Sequence, residues 1–317
     1  MNTRVNGLLA LIVGALTAVQ SRLNGQLSKE IHNGIAAAVI SFITGWILLW
    51  ILCFGIKRER EGLKALYKGY RTGRLGWWEL IGGMGGGFFV ATQSGTVPVI
   101  GVAIFTIATV GGQTVASLVV DKLGISPSGK KQITIPRVFA AVMTLFAVSV
   151  AVYPQLANAH LAPLPVILSV IVGIIVSFQQ ALNARVNVVT QRPLATAFLN
   201  FLMGFIVLII ALTVNLANGG EIGPMPHNFW LYTGGSIGLI FIATSAHVVR
   251  SLGVLNFVLF SVTGQLTGAL LLDWLAPAAK TTVSANLIFG TIITLGSIAI
   301  SRYFDQGSTA PRSKPAK

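Results

Sequence analysis

"VGALTAVQSRLNGQL" (residues 13–27) and "VGIIVSFQQALNARV" (172–186) are two versions of one pattern. At a constant offset of 159 they pair Gly14 with Gly173, Gln20 with Gln179, Leu23 with Leu182 and Asn24 with Asn183. The same offset carries Phe42 onto Phe201 and Gly45 onto Gly204. Farther along the offset becomes 152. Trp78 then meets Trp230, the glycines at 82 and 83 meet those at 234 and 235, Gly86 meets Gly238, Gly101 meets Gly253, and Phe105 meets Phe257. "GQTVASLVVD" (112–121) also falls on "GQLTGALLLD" (264–273), so Gly112, Gln113 and Asp121 match Gly264, Gln265 and Asp273. The seven-residue change lies in a basic loop, where insertions are tolerated. A repeat at a fixed offset sets the architecture before any motif does.

Composition supplies the solvent. The 317 residues are 54% hydrophobic and 9% charged, with a mean hydropathy of +0.78, whereas soluble domains are near a quarter charged. Spanning lipid takes about 20 apolar residues, because each backbone polar group must be bonded within its own helix. Charge-free runs at 5–21, 33–56, 193–220, 222–249, 251–272 and 281–301 supply one span each. The run 80–120 is long enough for two spans joined near Pro98, and 138–184 for two more around "YPQLANAHLAPLP" (153–165). The expectation is an all-α polytopic membrane protein of ten transmembrane helices. No small-residue cleavage site follows the first span, which is expected to stay uncleaved. Cys53 is the single cysteine, so the chain cannot form an internal disulfide or a thiolate metal cluster.

A net charge of +14 invites a nucleic-acid reading, but position argues against it. The largest basic run, 57–74, carries seven Lys or Arg directly after a span, where positive residues set orientation. With that run in the cytoplasm, 19 of the 22 Lys and Arg fall inside and both termini are cytoplasmic. The bias, with no transit peptide, points to a multi-pass protein of a plasma membrane, the bacterial inner membrane, and to no nucleic-acid partner.

Five spans per copy is an odd number, so the second copy enters the membrane inverted. The charges agree: "ANGGEIGPMPHN" (217–228), opposite the basic run, has no Lys or Arg. The expected units are a first five-helix repeat over 1–153, a second, inverted one over 164–303 and a disordered cytoplasmic tail over 304–317. Inverted repeats about an axis in the membrane plane mark secondary transporters, with the substrate site near the midplane between halves.

The five-plus-five plan, with Gln and Asn repeated in the first helix of each half, resembles the drug/metabolite transporter (DMT) superfamily, in its two-domain YdcZ-type (EamA-like) branch. The resemblance covers nearly all of residues 5–303. It implies a central cavity lined by the first, third and fourth helices of each half, with the fifth and tenth as outer supports. It names no ligand.

At 100° per residue Thr17, Gln20, Ser21 and Asn24 form one polar stripe, while Arg22 points elsewhere and is expected to snorkel outward. The counterpart stripe holds Gln179, Gln180 and Asn183. The stripes flank the midplane as substrate-binding faces; alternatively these amides clip neighbouring helices together. Gln113 and Gln265 sit near span centres, where an unpartnered amide is expensive, and each follows a glycine that permits close approach. They are the sharper candidates for a polar ligand, with bonds to the other half's backbone as the alternative.

Acids are scarce. Glu79, Asp121 and Asp273 lie near span ends and read first as solvated anchors or caps, or else as gating or coupling groups, Asp121 and Asp273 then forming inner and outer gates with basic residues. His247 in the eighth span could titrate near neutral pH, although packing is the simpler role. "GGMGGGFF" (82–89) lacks the G-K-[ST] of a phosphate loop and serves helix contact instead. With no convergent titratable set, enzymatic chemistry is not expected. The expected function is secondary active transport, in the export direction as one option, of a small polar or amphipathic metabolite, neutral or zwitterionic. A passive channel or membrane scaffold is the alternative. The expected partners are the lipid bilayer, a small-molecule substrate and a coupling ion, H+ or Na+. No cofactor or metal is called for, and the chain acts as a monomer or homodimer.

Overall fold

The computed structural model describes residues 3–127, 129–130, 132–157, 163–276 and 283–308, and among them its regular secondary structure is all helical. The helices are α1 (Thr3–Glu30), α2 (Gly34–Gly55), α3 (Lys57–Arg71), α4 (Trp77–Leu80), α5 (Met84–Leu123), α6 (Ile135–Ala157), α7 (Pro163–Thr190), α8 (Pro193–Ala217), α9 (Gly234–Leu275) and α10 (Ala285–Ser308). Six helical stretches among the described residues are long and apolar enough to cross a membrane. One of these, Trp77–Leu123, has 47 residues, about 70 Å at 1.5 Å per residue, more than twice a hydrocarbon core of about 30 Å.

That run is broken at Gly101, with φ 80° and ψ 166°, a conformation closed to L side chains. The break falls three residues past Pro98, where the sequence pointed. Three other expectations shift. The basic run folds as α3 rather than as a loop, and α9 begins only at Gly234, because 220–228 is irregular and Gly223 donates its N–H to the Ile31 carbonyl at 2.8 Å. α10 extends to Ser308, past the expected start of the tail; the remainder of that tail lies outside the described residues.

The repeat is visible in the backbone. The α1–α2 turn passes through His32 at φ 54° and the α7–α8 turn through Gln191 at φ 53°, two non-glycine residues in the left-handed region at offset 159. Asn33 then caps α2 by accepting the Ala36 N–H at 2.9 Å.

Packing crosses between halves. α1 lies mainly on α9, α7 on α5, α2 on α8 and α6 on α10. Glycines make the crossings close. A Cβ on Gly14 would stand 1.9 Å from the Ser261 carbonyl oxygen, and one on Gly173 would stand 2.2 Å from that of Thr109. Reciprocally, a Cβ on Gly264 would meet Leu11 O at 2.0 Å and one on Gly112 would meet Val170 O at 2.1 Å. Every residue in the first contact of each pair maps onto the second by the offsets found in sequence. Backbones this close gain dispersion and leave no room for side chains, the usual currency of helix association in lipid. The largest buried cluster surrounds the segment after the α5 break, Val102 to Ala108, with Ala18, Val148, Leu266, Ala269 and Leu287 packed about it. α6 and α10 turn Phe139, Val142, Phe146, Phe289 and Ile292 outward, as outer supports would.

Candidate functional site

Phe42 on α2 and Phe201 on α8 pack against each other with ring centroids 5.0 Å apart and planes inclined at 38°. They are repeat partners, so the pseudo-twofold axis passes between them. Gly45 and Gly204 open the space: a Cβ on either would lie 2.3 and 2.2 Å from the opposing ring.

On one side of the ring pair is a buried relay. Asn24 donates from Nδ2 to Gln93 Oε1 at 2.8 Å, and Gln93 donates from Nε2 to Ser21 Oγ at 2.7 Å. Ser21 in turn donates to the Thr17 carbonyl at 2.9 Å. Asn24, Gln93 and Ser21 are all buried. Asn24 Oδ1 is buried with no hydrogen bond among the described residues, and it occupies the space a Cβ on Gly234 would need, at 2.2 Å. Gln20 sits beside Gly238, where a Cβ would be 3.4 Å from its Nε2 and 3.6 Å from Phe201.

On the other side, Asn200 Oδ1 accepts from Gln179 Nε2 at 2.8 Å and from Asn183 Nδ2 at 3.0 Å. A Cβ on Gly86 would be 2.8 Å from Gln179 Nε2 and 3.4 Å from Phe42. Two amide clusters thus flank the rings, each resting on a glycine of the opposite half. Gln180 is exposed and takes no part. The clusters share Asn24 and Asn183 but differ elsewhere: Ser21 corresponds to Gln180 and Gln179 to Gln20, and among their partners Asn200 corresponds to Ser41 and Gln93 to Ser245. That difference explains why Gln93 and Asn200 escaped the sequence reading, which followed repeated amides. The available signal was local: a glutamine in an apolar run, and a polar residue just before each repeated phenylalanine.

Gln113 and Gln265 stand at the crossings, Gln113 where α5 meets α7 and Gln265 where α9 meets α1. Their backbone nitrogens are 3.1 and 3.0 Å from the Cβ positions of Gly173 and Gly14. Both side chains are half-buried, and neither forms a hydrogen bond among the described residues. The same holds for Gln20. No hydrogen bond joins these three amides to either cluster.

The acids depart from the solvated reading. Asp273 is 5% exposed, and its carboxylate accepts the N–H of Val102 at 3.1 Å and of Ala103 at 2.7 Å. Those are the first two residues after Gly101, where the break leaves N–H groups without intrahelical acceptors. Asp273 therefore caps the second arm of α5 from the opposite half. Arg22 acts electrostatically on it and has its Nη1 buried, so it turns inward where snorkelling was expected. Asp121, the repeat partner, is ion-paired with Arg137 of α6. Each aspartate is thus set with an arginine.

Glu79 is a cap, as one expectation held, but it is not solvated. It is 4% exposed, accepts the Gly76 N–H at 2.6 Å and is ion-paired with Arg185 of α7. The Arg185 guanidinium lies over the Trp78 ring, 5.2 Å from its centroid. The His247 side chain lies outside the described residues. No trio of His, Cys, Asp or Glu among the described residues could hold a metal.

A solved crystal structure of a protein shares the fold. It matches with a TM-score of 0.59 at 15% identity, over 97% of this chain and 99% of its own. No curated protein matches the chain. The family described as "Putative inner membrane exporter, YdcZ" matches residues 6–150 and 164–300, one segment in each repeat. The chain belongs to that family.

Proposed function

We propose that this member of the YdcZ inner membrane exporter family is a secondary transporter, working without ATP by alternating access between its two repeats. Its cargo is a small polar or amphipathic solute, neutral or zwitterionic. The observation that carries this reading is the pair of amide clusters, Ser21–Gln93–Asn24 and Gln179–Asn200–Asn183, set on either side of the Phe42–Phe201 axis. Amides donate and accept without net charge, which suits polar solutes lacking a full charge. The absence of a central acid or basic group in the clusters disfavours multivalent ions. Gln20, Gln113 and Gln265 complete the proposed substrate-binding set, because their amides are not committed to other described residues.

Ten crossings fit this reading. α1, α2, α6, α7, α8 and α10 supply one each, and the long helices α5 and α9 supply two each, α5 being interrupted at Gly101. Both termini then face the cytoplasm. The two aspartate–arginine sets, Asp273 with Arg22 and Asp121 with Arg137, serve as outer and inner gates in this reading. Asp273 is also the best placed group for a coupling proton. Glu79 and His247 are lesser candidates for those roles. The direction is export, and the assembly is a monomer or homodimer.

Thermal unfolding of detergent-purified protein against amino acids, sugars, nucleosides and organic cations tests the reading, because a ligand that prefers the folded state raises its stability. A stabilising solute whose effect disappears in Gln113→Ala and Gln265→Ala, both still folded, is the expected result. Equal response in both variants defeats the site assignment. Flux that rises without saturation in proteoliposomes assigns a channel instead, and no flux for a bound solute assigns a scaffold.

A further inference from the structure

α3 carries a feature that orientation by positive charge does not require. Any basic loop satisfies that rule, yet here Lys57, Arg60, Lys64, Lys68 and Arg71 recur at spacings of 3, 4, 4 and 3 along one helix face. The opposite face holds Gly62, Leu66 and Gly69. It is pressed onto the ends of α7 and α8: a Cβ on Gly62 would stand 2.7 Å from Arg192 and 2.9 Å from Ala195, and one on Gly69 would stand 2.7 Å from Val189. Arg192 also donates from Nε to the Arg58 carbonyl at 3.3 Å. α2 ends at Gly55 and the chain turns at Ile56, so α3 lies across the end of the bundle instead of prolonging α2.

The outward face is exposed along its length. Lys57, Arg58, Arg60, Lys64, Lys68, Arg71 and Arg74 are all exposed, and none forms an ion pair among the described residues. Tyr67 and Tyr70 flank the stripe, 66% and 49% exposed, with Arg71 6.0 Å from the Tyr67 ring centroid. A cationic stripe edged by tyrosines on a fixed surface helix matches the polar interface of an anionic leaflet, where phosphates meet ammonium and guanidinium groups and phenols sit among headgroups.

We propose that α3 is a binding site for anionic phospholipid headgroups, which hold the α2–α3 corner of one repeat against the α7–α8 turn of the other. This proposal is independent of the solute transported. Purified protein in nanodiscs of phosphatidylcholine alone is compared with protein in a mixture containing phosphatidylglycerol. The anionic lipid is expected to raise the unfolding midpoint by about 2–4 °C, and the gain is expected to fade as salt screens the contact. The triple variant Lys64→Gln, Lys68→Gln, Arg71→Gln loses most of the gain and keeps its midpoint in phosphatidylcholine, while Lys122→Gln with Lys130→Gln retains the gain. A gain that survives high salt, equal midpoints in the two bilayers, or a triple variant that keeps the gain each overturns the proposal. Inorganic phosphate reproducing the gain in phosphatidylcholine also overturns it, in favour of a free-anion site. The salt series on the unmodified chain decides the matter if the triple variant does not fold.

Discussion

Phe42 and Phe201 are 159 positions apart in the chain, yet their rings face each other across 5.0 Å. Residues that match in sequence can touch only where the symmetry axis passes, so this contact locates the axis to within a side chain. The two amide clusters are arranged around it, and each uses the opposite half's glycine as its floor. Symmetry and polarity therefore meet at one place in the bundle.

The close crossings make Gly14 intolerant. Gly14→Ala is expected to cost roughly 1–3 kcal/mol through forced separation of α1 and α9, since the new methyl would meet the Ser261 carbonyl at 1.9 Å. Gly55→Ala, with nothing within 4 Å, is expected to be neutral or slightly stabilising. Unfolding midpoints in detergent compare the two, and equal midpoints would contradict the packing described.

Asp273 is expected to matter through its two backbone bonds. Asp273→Ala leaves the N–H groups of Val102 and Ala103 unpaired inside the protein, at about 1–3 kcal/mol each. Asp273→Asn keeps one acceptor and recovers part of the loss. If alanine and asparagine destabilise equally, the cap is not what holds the second arm of α5.

Glu79 and Arg185 join α4 to α7. The arginine is 36% exposed and the glutamate 4%, which places the pair between solvent-screened and fully buried. A double-mutant cycle with Glu79→Gln and Arg185→Gln is expected to return a coupling of about 1 kcal/mol. Strictly additive single effects would sink the assignment.

Asn200 accepts from both Gln179 and Asn183, so Asn200→Ala removes two interhelical bonds of about 0.6 kcal/mol each. Ser41→Ala, at the repeat-related position, is expected to cost less. The reverse ranking of unfolding midpoints would show that the second cluster is not organised by Asn200.

The repeat offsets were legible because the two copies keep the same local packing: Gly14 and Gly173 need the same absence of a side chain. The break at Gly101 was signalled by nearby Pro98 and by the length of the apolar run. The acids were harder. Asp273 near a span end looks like any interfacial anchor, and its partners are two backbone N–H groups about 170 positions away, which carry no side-chain signature. Gln93 and Asn200 were missed because repeat matching finds what the two halves share, whereas these two residues are where they differ. Arg22 was assigned outward on helical phase alone, without Asp273 of α9, on which it acts electrostatically.

The exchange of partners between repeats has a mechanical consequence. α1 rests in the grip of α9 and α7 in the grip of α5, through contacts that leave no room for a methyl group. A chain severed between its two sequence halves would yield fragments that each lack the surface their first helix is shaped to fit. Neither is then expected to persist alone, while both together should reassemble. Each tightly packed pair is accordingly a mixed one, taking its opening helix from one copy and its long helix from the other.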